Sequence, residues 1–191
     1  MTAYVTLPEF KAYLRNELAA ADDVDLLEAL NSASEAIDGY CGRSFVVASG
    51  SSARVYVPTE TTALFIDDCT AVSSVVVDGT TLSSSDYQKE PLNGIVNGQS
   101  VPYTRLRRVG SLWYVTFPGQ ATVSVTGTWG WSATPSRVLT ACKILAKEIA
   151  ETRNQVGGYV ALGDMAARAI THPKYRQMLD RLRRMDRVGG L

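Results

Sequence analysis

Between Arg43 and Gly127 the chain changes its hydrophobic period, and after Thr128 it changes back. Outside that stretch apolar residues recur every three or four positions, as on one face of a helix. Inside it they alternate or form short β-branched runs, as in strands. A chain written this way draws helices from both ends and places a β region between them. The expected class is α+β: a helical bundle built from N-terminal and C-terminal helices with an inserted antiparallel β region.

The boundaries follow from local chemistry. Thr6-Leu7-Pro8-Glu9 reads as a capping box, with Pro8 tolerated in a first turn. Leu7, Phe10, Leu14 and Leu18 continue a first helix, and Asp22 or Asp23 caps a second. The second helix has a stripe of Leu26, Leu30, Ala33, Ile37 and Tyr40 and stops at Gly42. Strands are expected at Phe45–Val47, Arg54–Val57, Ala63–Ile66, Val72–Val77, Thr80–Leu82, Val101–Leu106, Leu112–Phe117 and Ala121–Thr126. Asp78-Gly79 supplies the positive φ angles of a tight hairpin, and Asn93-Gly94 and Asn97-Gly98 mark further turns. Asp67-Asp68 reads as a turn at a strand end. Thr134 and Pro135 open a helix whose stripe is Val138, Cys142, Leu145 and Ile149. Three glycines in Asn154–Gly163 predict a mobile loop, Asp164 caps a short helix to Ile170, and His172-Pro173 breaks it. A last helix is expected from Pro173 to Val188. The expected organisation is a helix pair over residues 1–42, a β region over 43–127, a bundle helix over 128–154, and a flexible loop with C-terminal docking helices over 155–191.

Composition narrows the function. The 191 residues are 46% hydrophobic and 20% charged, which is ordinary for a globular chain, and no apolar run is long enough to span a membrane. Met1–Phe10 lacks a basic and then apolar leader pattern, so a chain made and used in a cytoplasm is expected. Cys41, Cys69 and Cys142 are odd in number and far apart, which predicts reduced thiols, and a single His172 argues against zinc. The net charge is 0 but unevenly spread. Met1–Gly42 holds eight acids and two bases, a net of −6, and Asp164–Leu191 holds seven bases and three acids, a net of +4. Opposite ends of this kind suit head-to-tail assembly, and they equally suit solvated helix faces.

Catalytic patterns are missing from the sequence. There is no GxSxG elbow, phosphate-binding glycine loop or dinucleotide fingerprint. Cys41 with His172, or Asp67-Asp68 as a cation site, are thin combinations beside a buried thiol, a surface histidine and a turn. No catalytic residue, cofactor or metal is expected. Arg105, Arg107 and Arg108 cluster beside Trp113 and Tyr114, so weak contact with DNA in a channel is expected of them, against the plainer reading of an exposed loop. In the last helix Tyr175, Met178, Leu179, Leu182 and Met185 share one face, with Arg176, Arg183, Arg184 and Arg187 opposite. Such a helix docks on a partner or packs on its own subunit.

Two segments carry a family resemblance. The first is Thr6-Leu7-Pro8-Glu9-Phe10-Lys11-Ala12-Tyr13-Leu14, followed by Asp23–Leu30 and closed by Tyr40-Cys41-Gly42-Arg43-Ser44-Phe45. The second is Val125-Thr126-Gly127-Thr128-Trp129-Gly130-Trp131, leading through Pro135 into Val138–Ile149. Together they resemble the head-tail connector (adaptor) proteins of long-tailed phages, particularly the actinobacteriophage type, over about half the chain. The resemblance implies a helical core, a dodecameric ring beneath the portal, a channel for DNA and a location at the head-tail interface of the virion. It implies as partners the portal protein, a downstream stopper or tail-completion protein and, without sequence preference, genomic DNA. By analogy the portal-docking residues are Tyr175, Met178, Leu179, Leu182, Arg183, Met185 and Arg187. The long β region departs from the simplest members, as does Ser132-Ala133 where a proline often follows the tryptophans. The competing class is a DNA-packaging protein such as a small terminase subunit. It calls for a helix-turn-helix with a basic recognition helix, and the first two helices here are acidic. A carbohydrate-binding β module, suggested by Trp113, Trp129 and Trp131, is weaker than core packing at a strand-to-helix junction.

Overall fold

A computed structural model describes residues 3–15, 21–113, 123–155, 170 and 172–184. They form two compact units, one of Met1–Phe45 with Thr134–Leu191 and one of Val46–Ala133.

The first unit is helical. Helix α1 (Leu7–Leu14) starts with the full capping box, the Thr6 side chain accepting from Glu9 N–H while Glu9 reaches back to Thr6 N–H. Helix α2 (Asp23–Cys41) is capped by Asp22 and ends on Gly42 in the left-handed region. Helix α3 (Ser136–Gln155) opens with the Pro135 carbonyl accepting from Val138 and Leu139. Thr134, expected to cap it, instead donates its hydroxyl to the Phe45 carbonyl at 3.0 Å. Helices α2 and α3 pack together, burying Leu26, Leu30, Ile37, Leu145 and Ile149. Ser34 Oγ and Cys142 Sγ lie 3.5 Å apart in that seam.

The second unit is a six-stranded antiparallel sheet. Its strands are β1 (Ser52–Tyr56), β2 (Ala63–Val77), β3 (Thr80–Thr81), β4 (Tyr87–Glu90), β7 (Tyr103–Arg108) and β8 (Val123–Trp129), and β5 (Ile95–Val96) with β6 (Gln99–Ser100) makes a separate hairpin. The order is β1-β8-β2-β7-β4, with β3 turned back on β2. Asp78 and Gly79 at that turn both have positive φ, as the sequence predicts. Strand β2 is one 15-residue strand where two short ones and an Asp67-Asp68 turn were expected. Its first half pairs with β7 and its second with β8, and register shifts around Cys69 and between Val72 and Ser74 let it serve both. Its aspartates are partnered inside the unit: Asp67 takes the Arg54 guanidinium at 2.7 Å and the Tyr56 hydroxyl, and Asp68 accepts from Trp131 Nε1 at 2.9 Å. These partners keep two adjacent carboxylates within a strand, so no turn is needed there.

The fold is therefore sheet-dominated, which corrects the expected helical bundle with an inserted antiparallel β region. The physical reason is that the sheet has its own core. Leu64, Ile66, Cys69, Val75, Leu106, Trp113, Val123 and Val125 are buried against one another. A β region with a closed apolar core is a packed unit in its own right and not an appendage of the helices.

Candidate functional site

Strand β7 holds the three arginines singled out above, but alternation divides them. Arg105 and Arg107 lie opposite Glu90 and Gln88 of β4, on one side of the sheet. Both engage the same carboxylate: Arg107 Nε donates to Glu90 at 2.7 Å, and Arg105 Nη2 stands 2.5 Å from it. The Arg107 hydrogen bond, together with both nearby positive charges, holds the Glu90 carboxyl below its usual range despite its burial. Arg108 turns to the core side, like Leu106, and its guanidinium sits 5.4 Å from the centre of the Trp113 ring. The sequence cluster is thus a two-arginine clamp on one face and a tryptophan-stacked arginine on the other.

The C-terminal segment lies against its own unit. Helix α4 (Pro173–Leu179) is shorter than expected and passes into a 3-10 turn, Asp180–Leu182. His172 caps it, its Nδ1 accepting from Lys174 N–H. Tyr175 and Leu179 are fully buried, and the Tyr175 hydroxyl donates to Glu148 of α3 at 2.6 Å. Burial and that carboxylate together push the Tyr175 phenol well above its ordinary range. Lys174 adds an ion pair to the same Glu148 at 2.7 Å. Met178 and Leu182 are half-buried, and Arg176, Arg181 and Arg183 are exposed. Arg183 stacks 5.1 Å from the Tyr40 ring, and Arg184 N–H donates to the Cys41 carbonyl. Met185 and Arg187 fall outside the described residues.

The side chains weighed for chemistry have structural partners. Burial pushes the Cys41 thiol up to about 12, so it is not a nucleophile at neutral pH. Trp129 donates to the Ser52 carbonyl at 2.9 Å and takes the Arg54 guanidinium over its ring at 4.5 Å. Trp131 is buried on Asp68. Among the described residues no group of three or more metal-ligating side chains converges, and no helix is long and apolar enough to cross a membrane.

What sequence reading missed are the outer edges of the sheet. Strand β1 lies at one end of the strand order and β4 at the other, and β4 leads directly into the β5–β6 hairpin. Val55 and Val57 are exposed at the first edge, and Leu92, Ile95 and Val96 beyond the second. The signal available in the sequence was the uncharged run from Pro91 to Thr104.

No protein-family model matches the chain, and no curated protein does. Solved structures do share its fold. A chain in the neck of an empty gene transfer agent (GTA) particle computed with C6 symmetry aligns with a TM-score of 0.58 and 19% identity, covering 98% of this chain and 93% of that one. A chain in the neck of a native GTA particle computed with C12 symmetry aligns with a TM-score of 0.55 and 18% identity, covering 100% and 95%. Helical and sheet units together are thus matched nearly end to end, and the fold is one also found in phage-like particle necks.

Proposed function

We propose that the chain is a structural, non-enzymatic subunit of a phage-type particle neck. In this reading it is a head-to-tail adaptor, repeated as a homo-oligomeric ring of twelve copies between the portal and a downstream stopper or tail-completion protein. Genomic DNA passes through the ring. The observation that supports it most is the near-complete correspondence, in both directions, with neck chains of GTA particles. The six-fold and twelve-fold symmetries belong to those particles, and a ring subunit is the reading they favour here. The side chains agree with a scaffold role, since those with chemical potential are tied into caps, clamps and cores.

In this proposal the portal side is formed by the C-terminal segment. Tyr175 and Leu179 anchor that segment to α3, which leaves contact with portal to Met178, Leu182, Arg183, Met185 and Arg187. Arg105 and Arg107 are the channel-facing pair. With Glu90 neutralising part of their charge, their contact with DNA is weak and sensitive to salt. Arg108, stacked on Trp113, contributes less.

The test is a pull-down on purified portal protein. Arg183→Glu with Arg187→Glu should leave the protein folded, as a thermal melt would check, and lose portal binding. Unchanged binding sinks the docking assignment. Tight, sequence-specific binding of the free protein to short duplexes at physiological salt would point instead to a DNA-packaging protein.

A further inference from the structure

Among the described residues twelve large hydrophobic side chains are exposed, and seven of them fall in two groups, one around the β1 edge of the sheet and one on the hairpin segment that follows β4. One group is Leu92 (58% exposed), Ile95 (54%) and Val96 (43%), on the β5–β6 hairpin and the turn that leads into it. The other is Val55 (62%) and Val57 (39%) on β1 and its exit, with Val46 and Val47 on the segment leading in.

The hairpin is built to be stiff. Asn97 and Gly98 form its two-residue loop with both φ angles positive, and Asn93 and Gly94 also have positive φ. Gly94 N–H donates to the Pro91 carbonyl at 3.0 Å, and Val101 N–H donates to the Gly94 carbonyl at 2.8 Å. A Cβ at Gly94, where φ is +62°, would stand 3.1 Å from the Val101 carbonyl oxygen, so a side chain there would be strained and crowded. Three apolar side chains are therefore held out at fixed positions, at low entropic cost to a binding event.

The two edges differ in how they meet water. Strand β4 ends in Lys89 and Glu90 and is followed by Pro91, residues that disfavour further strand pairing. Strand β1 has no lysine and no proline, and its one charge, Arg54, is held by Asp67 and Trp129. Residues 46–59 contain only that charge, and residues 91–104 contain none. Both groups thus have the charge-poor composition of an interface core. They are dissimilar: one is an edge strand of the six-stranded sheet, and the other is a separate hairpin that follows the strand at its other edge. One contact between copies covers both. A β1-to-β1 pair would leave the hairpin bare and would not propagate, whereas hairpin-to-β1 contact is heterologous and repeats around a ring.

We infer that the β5–β6 hairpin of one copy seats on the β1 edge of the next copy, with Leu92, Ile95 and Val96 packed against Val55 and Val57. This rests on the ring reading above and names the subunit contact within it. The experiment uses the full chain with Val96→Cys and Val55→Cys, separately and together, a short bismaleimide linker, and native mass spectrometry of the same samples. The native thiols are buried and give little background. The double variant should yield a covalent ladder up to the ring number. Mixed single variants should yield dimers, and either single variant alone should stay uncross-linked. Rings without a ladder, or Val55→Cys linking to itself, overturn the hairpin contact and leave the ring reading intact. If no oligomer forms at any concentration, even with portal present, both fail. Thermal melts matching the parent check that these exposed substitutions leave folding alone.

Discussion

The helical unit and the sheet unit dispose of apolar surface in opposite ways. In the helical unit the described large hydrophobics are nearly all inside, and only Tyr13, Val24 and Leu27 are exposed. The other nine exposed large hydrophobics belong to the sheet unit, whose core is nonetheless closed. Surface charge follows the inverse pattern. The helical unit holds the acidic N-terminal and basic C-terminal segments, and the sheet unit holds the long uncharged runs. The difference points to the sheet unit, rather than the helical one, as the place where copies of the chain meet. Among the described residues the helical unit leaves few large apolar side chains exposed, whereas the sheet unit has a closed core and exposed apolar side chains beside its edges.

This comparison breaks most sharply in the α2–α3 seam. Leu30 is fully buried there. Leu30→Ala should cost about 2–5 kcal/mol in denaturant unfolding, with association falling only as the folded fraction falls. A loss under about 0.5 kcal/mol would show that this face is not core. Next in size is Gly130→Ala in the sheet unit. Gly130 has φ +123°, and a Cβ there would stand 2.6 Å from the Val46 carbonyl oxygen. The strain should cost about 1–3 kcal/mol.

The Glu90 clamp gives a smaller effect with a pH signature. Its folded-state pKa is depressed, chiefly by the Arg107 hydrogen bond, so its stabilisation is present above the unfolded value of about 4.3 and is lost as pH falls through the folded value. The two arginines are part-exposed, so Glu90→Gln should cost about 1 kcal/mol or less at neutral pH. The gap from the parent should close below about pH 4. A gap that does not change with pH would mean that the clamp is only steric. The smallest effect on folding is expected at the hairpin. Ile95→Ser should shift stability by no more than about 0.5 kcal/mol while weakening self-association, measured by light scattering across a dilution series. Equal losses in folding and association would erase the distinction between the two units.

Much of this was legible in the sequence where the governing chemistry is local. The Thr6–Glu9 capping box, the Asp22 cap, the Gly42 stop and the Asp78-Gly79 turn are set by residues within one turn of each other, and all four stand in the structure. What was not legible depends on distant partners. Asp67 and Asp68 look like a turn until Arg54, Tyr56 and Trp131 are brought to them from elsewhere in the chain. Arg105, Arg107 and Arg108 look like one basic patch until the strand's alternation turns Arg108 toward Trp113. Strand β4, Tyr87–Glu90, has too weak a pattern to be read alone and is fixed by its pairing with β7. The weight of the sheet in the fold was missed for the same reason, because its core joins residues far apart in sequence.

The central claim is that this chain is a ring subunit of a particle neck, and native mass spectrometry of the purified full chain with portal protein tests it most directly. The account predicts one closed species of defined stoichiometry on the portal, about twelve copies of this chain in the reading proposed above. A chain that remains monomeric in the presence of portal, or that forms open-ended assemblies of no fixed number, would contradict it.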